Sequence, residues 1–108
     1  MTKQKYIVKV DDNFHYMDES ERYKDGEYDS YAQAVAKCKA IIDDFLLSAL
    51  EPGMTAEQLF GSYTMFGEDP FIIGGKEDGF EAWGYAKEQC VVLVKKQEPR
   101  IKKFIGEI

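Results

Sequence analysis

The clearest structural signal of the chain lies in residues 30–53, whose sequence is SYAQAVAKCKAIIDDFLLSALEPG. Apolar side chains recur in this stretch at spacings of three and four residues, which is typical of an amphipathic helix. They are Tyr31, Ala34, Val35, Cys38, Ile41, Ile42, Phe45, Leu46 and Ala49. Ser30 and Gln33 form a capping box, because each side chain can satisfy a backbone amide of the first turn. With the Pro-Gly pair at the end of the stretch, the pattern predicts a helix over residues 31–50.

Two strands are predicted before this helix. Residues 4–10 alternate between apolar and polar side chains, which is the period of a half-buried strand. Residues 22–28 form a weaker strand, in which Gly26 indicates a bulge or a turn. The polar, acidic residues 11–21 between them are then the connection of a β-hairpin.

A second helix and a third strand are predicted after the first helix. Thr55 and Gln58 form another capping box, which opens a helix over residues 56–65. Residues 67–70, with the sequence GEDP, are interpreted as a turn. The apolar residues 71–73 then form a short strand that ends at a pair of glycines.

The last predicted element is a helix over residues 80–96, and Asp78 and Glu81 form its capping box. Pro99 is expected to break this helix or to start a new turn. The order β-β-α-α-β-α predicts an α+β fold, a small antiparallel sheet with the helices packed on one face. The side chains predicted to be largely buried at the centre of the apolar stripes are Cys38, Ile42, Phe45 and Trp83.

Length and charge limit the organisation of the chain. Its 108 residues fit one domain, which we assign to residues 1–98, followed by a basic C-terminal tail over residues 99–108. The net charge is −6, divided into −9 for residues 1–94 and +3 for residues 95–108. This balance disfavours nucleic acid and anionic membranes as partners of the main body.

The C-terminal tail carries apolar side chains at helical spacing. They are Ile101, Phe104, Ile105 and Ile108. One hypothesis is an amphipathic arm that docks on a partner protein, on a second copy of the chain or on an anionic surface. The other, which we prefer, is a terminal turn that folds back onto its own domain, because an isolated helix this short is marginal in water.

The two cysteines, Cys38 and Cys90, both fall on predicted apolar helix faces. They lack the spacing of a zinc site and do not make a disulfide framework, so we expect two reduced, buried thiols. The N-terminal residues contain no apolar run of signal-peptide length, and no segment is long enough to span a membrane. The sequence therefore predicts a cytoplasmic protein.

The hairpin connection is the candidate ligand site. Five carboxylates and the only histidine lie within residues 11–21, and crowded carboxylates favour a cation between them. The candidate metal ligands are Asp11, Asp12, His15, Asp18 and Glu19. Their spacing matches neither a calcium loop nor a helix-borne zinc site. The alternative is a solvated loop, which is acidic because loops are polar.

Aromatic side chains surround the same hairpin. They are Phe14, Tyr16, Tyr23, Tyr28 and Tyr31. Aromatic residues on a sheet can stack nucleic-acid bases, but the acidic surroundings oppose phosphate, so a core or a protein interface explains them better. No serine or cysteine lies in a nucleophile motif, and no glycine-rich motif indicates a phosphate-binding cofactor.

Several stretches resemble a family of small bacterial proteins with no established activity. They are residues 8–22 (VKVDDNFHYMDESER), 26–28 (GEY), 52–59 (PGMTAEQL) and 65–71 (MFGEDPF). The resemblance covers most of the chain and implies one intact domain of bacterial type. It assigns no catalytic residue.

Two classes of function follow from the sequence. The first is a non-enzymatic interaction or regulatory module that presents an acidic, aromatic surface to a protein partner or associates with itself. The second is a small-ligand or divalent-metal-binding protein, or an enzyme, that uses the acidic loop around His15. We prefer the first, without a cofactor, because no group of residues has catalytic spacing.

Overall fold

The computed structural model describes residues 5–12, 23–74 and 79–106, with side chains through Lys96. The elements are β1 (Tyr6–Asp12), β2 (Tyr23–Tyr28), α1 (Tyr31–Ala49), α2 (Ala56–Phe66), β3 (Glu68–Ile73) and α3 (Ala82–Gly106). The predicted α+β class and the order β-β-α-α-β-α are confirmed.

The described strands form a three-stranded antiparallel sheet in the order β2-β1-β3, so β1 is central. The register between β1 and β2 shifts after Val8, which pairs with Gly26, while Lys9 pairs with Lys24. Asp25 is the extra residue, so β2 carries a β-bulge next to the glycine at which the sequence indicated one.

β3 is longer than predicted, and the interpretation of residues 67–70 as a turn was wrong. The strand begins at Glu68 and includes Pro70, which pairs with Val10 of β1. Proline has no amide to donate, but β3 is an edge strand, where a missing donor is tolerated. The buried Tyr63 of α2 also donates a hydrogen bond through its hydroxyl to the backbone oxygen of Glu68, at 2.9 Å, which holds the start of the strand against the helix.

The helices cover one face of the sheet, where α1 packs on the central strand. Val8 and Val10 of β1 are fully buried with Ala34 and Cys38 of α1. At roughly 25 cal/mol per Å² of apolar surface, burying such side chains is the main favourable contribution to folding. The apolar residues that the alternation of β1 and the helical spacing of α1 mark thus pack together in one cluster.

A second core cluster joins the three helices. Its buried members are Ile42, Leu46, Leu59, Tyr63, Ala82, Ala86 and Cys90. The prediction of largely buried side chains is confirmed for Ile42 and Cys38, but Phe45 and Trp83 are only half-buried. Both rings lie at the margin of the cluster against Tyr63, with ring centroids 6.0 Å and 6.5 Å away.

α3 begins later and ends later than predicted. It starts at Ala82, and the carboxylate of Glu81 accepts hydrogen bonds from the amides of Trp83 and Gly84, at 3.0 Å and 2.7 Å. The predicted cap Asp78 lies outside the described residues. The helical backbone continues through Pro99 to Gly106. An interior proline removes one helical hydrogen bond, and its neighbours Gln97, Glu98 and Arg100 are good helix formers.

The described part of the chain contains no helix that combines the length and the apolar character needed to cross a membrane.

Candidate functional site

Four carboxylates meet where β1 and β3 pair, at one end of the sheet. Asp11 lies opposite Asp69, and Asp12 lies opposite Glu68. All four residues are half-buried. We call these four residues the acidic end. Like charges directly opposite each other on neighbouring strands are destabilising where no other group compensates them.

Tyr23 connects the acidic end to β2. Its hydroxyl donates a hydrogen bond to Oε2 of Glu68, at 2.6 Å, although 45 residues separate the two in the sequence. Because β1 lies between β2 and β3, this contact crosses the central strand. Partial burial, together with the negative charge of Glu68, raises the pKa of the Tyr23 hydroxyl above its ordinary value, so this group remains a donor.

Trp83 connects the acidic end to α3. Its indole Nε1–H donates to Oδ2 of Asp69, at 3.1 Å. Burial raises the pKa of Asp69 to about 6, the hydrogen bond from Trp83 opposes that change, and the charges of Asp11 and Glu81 add to it. Asp69 is thus an acid that titrates well above the ordinary range of a carboxyl group.

We expect Asp69→Asn to stabilise the protein at neutral pH. The pKa of Asp69 is higher in the folded protein than the value of about 3.9 for an unfolded chain, so its ionisation weakens folding as the pH rises from about 4 to about 6. Asparagine keeps an acceptor for Trp83 and removes the charge. The free energy of unfolding should increase by about 1–2 kcal/mol near pH 7.5 and change little near pH 4.

The measurement is urea denaturation across this pH range, followed by the fluorescence of Trp83, the only tryptophan in the chain. Asp44→Asn, which removes an exposed carboxylate from α1, is the control. An equal stabilisation by both substitutions at all pH values would contradict the role of burial at Asp69.

The structure describes only part of the predicted metal site. Asp11 and Asp12 lie in β1, whereas His15, Asp18 and Glu19 fall outside the described residues. Over residues 5–12, 23–74 and 79–106, no group of three or more His, Cys, Asp or Glu side chains could hold a metal ion. The metal site therefore stays a prediction.

Glu68 and Asp69 were not predicted as site residues, because their GEDP sequence has the composition of a turn. The signal that could have found them is a repeated pattern, since an adjacent acidic pair occurs at Asp11 and Asp12 and again at Glu68 and Asp69. Strand pairing alone brings the two pairs together.

The predicted interaction residues of the tail are only partly covered by the structure. Ile101, Phe104 and Ile105 belong to the backbone of α3, and Ile108 lies outside the described residues. The structure does not describe the side chains of these four residues, so their role stays a prediction.

Both cysteines are free and fully buried, as predicted. Burial raises the pKa of the Cys38 thiol to about 12 and that of the Cys90 thiol to about 11. The reactive form of cysteine is the thiolate, so neither residue is suited to act as a nucleophile at neutral pH.

No protein family model matches the chain, and the searches of curated proteins and of solved structures found no similar protein. The resemblance to small bacterial proteins stays a prediction.

Proposed function

We propose that this protein is a non-enzymatic interaction module that binds a basic segment of a partner protein at its acidic end. The observation that carries the proposal is the register of β1 and β3, which sets Asp11 against Asp69 and Asp12 against Glu68. The two cross-strand pairs are adjacent, so one pair lies on each face of the sheet and together they concentrate negative charge at this end of β1 and β3. Lysine and arginine side chains complement such charge.

The energetics of the acidic end favour a cationic partner. Burial, together with the nearby charges of Asp11 and Glu81, raises the pKa of Asp69, so the ionised form of this carboxyl group is disfavoured in the folded protein. A lysine or arginine from a partner would favour the ionised form of Asp69. Departures from local stability rules are expected at functional sites, because binding compensates for them.

The aromatic neighbours favour a protein partner. Tyr23 and Trp83 each hold one of the carboxylates through a hydrogen bond. Tyrosine and tryptophan are enriched at the centres of protein interfaces, and their rings also attract cationic side chains. The same negative charge repels the phosphates of nucleic acids. The buried free thiols suit a reducing compartment, which we take to be the cytoplasm.

The test is calorimetric titration with an oligo-lysine peptide of about ten residues, at low and at moderate salt. Because they remove charge but keep an acceptor for Tyr23 and Trp83, Glu68→Gln and Asp69→Asn together should weaken binding by about tenfold or more. The matched control is Asp44→Asn with Glu57→Gln, which removes two exposed carboxylates elsewhere. Equal weakening in both double variants would show a response to net charge alone and overturn the proposal.

The divalent-metal alternative is tested separately. Under the proposed function we expect no saturable heat when calcium, magnesium, manganese or zinc is titrated into the protein. The same titrations are made with the Asp12→Asn/His15→Ala variant. Saturable heat in the wild type that is absent from this variant would favour a metal site at the hairpin connection.

A further inference from the structure

A groove lies on α2, and none of the four acidic-end residues lines it. Its walls are the connection after α1 and the outer face of α2, and its volume is about 480 Å³. The residues that line it include Glu51, Met54, Gln58, Gly61, Met65 and Phe66. Gln58, Gly61 and Met65 follow each other at spacings of three and four residues, so they share one side of the helix.

Gly61 is the unusual residue of this groove. It lies in the interior of α2, where glycine weakens a helix relative to alanine. A Cβ added at this position would meet no atom within 4 Å, so the packing of the described residues does not require glycine here. A helical glycine allows another backbone to approach closely. Its presence is explained if a second helix crosses α2 at this point.

The apolar side chains beside Gly61 suit such a contact. Met65 and Phe66 expose 60% and 55% of their surface. Methionine is flexible and polarizable, so it adapts to the shape of a partner. The one charged residue among those that line the groove is Glu51. The groove therefore matches a helix that carries both apolar and basic side chains.

This chain contains a segment of that composition. Residues 99–106, with the sequence PRIKKFIG, combine three basic residues with three large apolar ones. Residues 95–108 carry +3, whereas residues 1–94 carry −9. The backbone of α3 is helical through Gly106, which extends it about 18 Å beyond Val94. A second copy can thus offer a basic, apolar helix to an acidic body.

We propose that the α2 groove over Gly61 receives residues 99–106 of a second copy of this chain, so that the protein forms a homodimer. Opposite charges on the two ends of the chain steer the copies together. In a symmetric pair each copy contributes one groove and one helix, and the contact is made twice.

Sedimentation velocity over a range of protein concentrations tests the dimer. The wild type should show a concentration-dependent monomer–dimer equilibrium, and Gly61→Gln should raise the dissociation constant at least tenfold. Glutamine improves the helix, so at protein concentrations where the chain is monomeric this variant should melt no lower than the wild type. The matched control is Leu47→Gln, which changes an exposed apolar residue of α1 outside the groove and should leave the dimer unchanged. A wild type that stays monomeric, or a Gly61→Gln variant with an unchanged dissociation constant, overturns the proposal.

A second arm tests the basic segment. Lys102→Glu with Lys103→Glu should also raise the dissociation constant at least tenfold, and added salt should weaken the wild-type dimer. Glu68→Gln with Asp69→Asn should leave the dimer intact, since these residues form the acidic end and not the groove. If the Glu68→Gln/Asp69→Asn variant loses the dimer and Gly61→Gln keeps it, the contact between the copies lies at the acidic end and the groove proposal is rejected.

Discussion

Replacing Ile42 with alanine is expected to lower the free energy of unfolding by about 2–5 kcal/mol. Ile42 lies in the middle of α1 and is fully buried in the cluster that joins the three helices. Truncation removes its apolar contacts and leaves a cavity, because the helices around it cannot collapse fully. The core of a small domain has little stability in reserve, so this single change should shift the unfolding transition strongly.

Chemical denaturation followed by circular dichroism measures this loss. Leu47→Ala is the matched control, because Leu47 lies on the same helix but exposes 57% of its surface. The control should change the free energy of unfolding by no more than about 0.5 kcal/mol. A loss that small at Ile42 would mean that the apolar side of α1 does not form the core.

Replacing Gly67 with alanine is expected to lower the free energy of unfolding by about 1–3 kcal/mol. Gly67 follows α2 and is buried, and its amide donates to the backbone oxygen of Tyr63 at 2.8 Å. An added Cβ would lie 2.5 Å from a ring carbon of Tyr63 and 2.7 Å from that same oxygen. The buried ring and the backbone cannot both move away, so either α2 or the start of β3 must shift.

The control for Gly67 is the same substitution at Gly61, six residues earlier in the sequence. Gly61 lies inside α2 with open space around it in the monomer, so alanine there should increase the free energy of unfolding of the monomer by about 0.5–1 kcal/mol. The two alanine variants should therefore change stability in opposite directions in one thermal or urea denaturation experiment. A stabilising Gly67→Ala would show that the end of α2 has room for a side chain.

The sequence determined the first two helices, because their signals are local. The capping boxes are present, with the amide of Gln33 donating to Ser30 Oγ and the amide of Gln58 donating to Thr55 Oγ1, each at 3.1 Å. The partners are three residues apart, and the apolar periodicity of each helix spans only a few turns. Local chemistry of this kind can be recognised without knowledge of the rest of the fold.

The boundaries of β3 and α3 depended on longer-range contacts. The GEDP stretch has the composition of a turn, but pairing with β1 and the hydrogen bond from Tyr63 extend Glu68–Ile73 as a strand. The half-burial of Trp83 has the same origin, because its indole donates to Asp69 on the neighbouring strand. The apolar periodicity within α3 gives no information about Asp69, which lies on another element.

The candidate site depends on contacts between residues that are far apart in the sequence. Asp11 and Asp12 are recognisable in the sequence as an acidic pair, but the residues opposite them are Glu68 and Asp69, more than fifty positions away. Strand register, set by packing of Val8 and Val10 under α1, brings the two pairs together and places Tyr23 within hydrogen-bonding distance of Glu68. Side-chain composition is a local property, whereas the proximity of charges depends on how the whole chain buries its apolar surface.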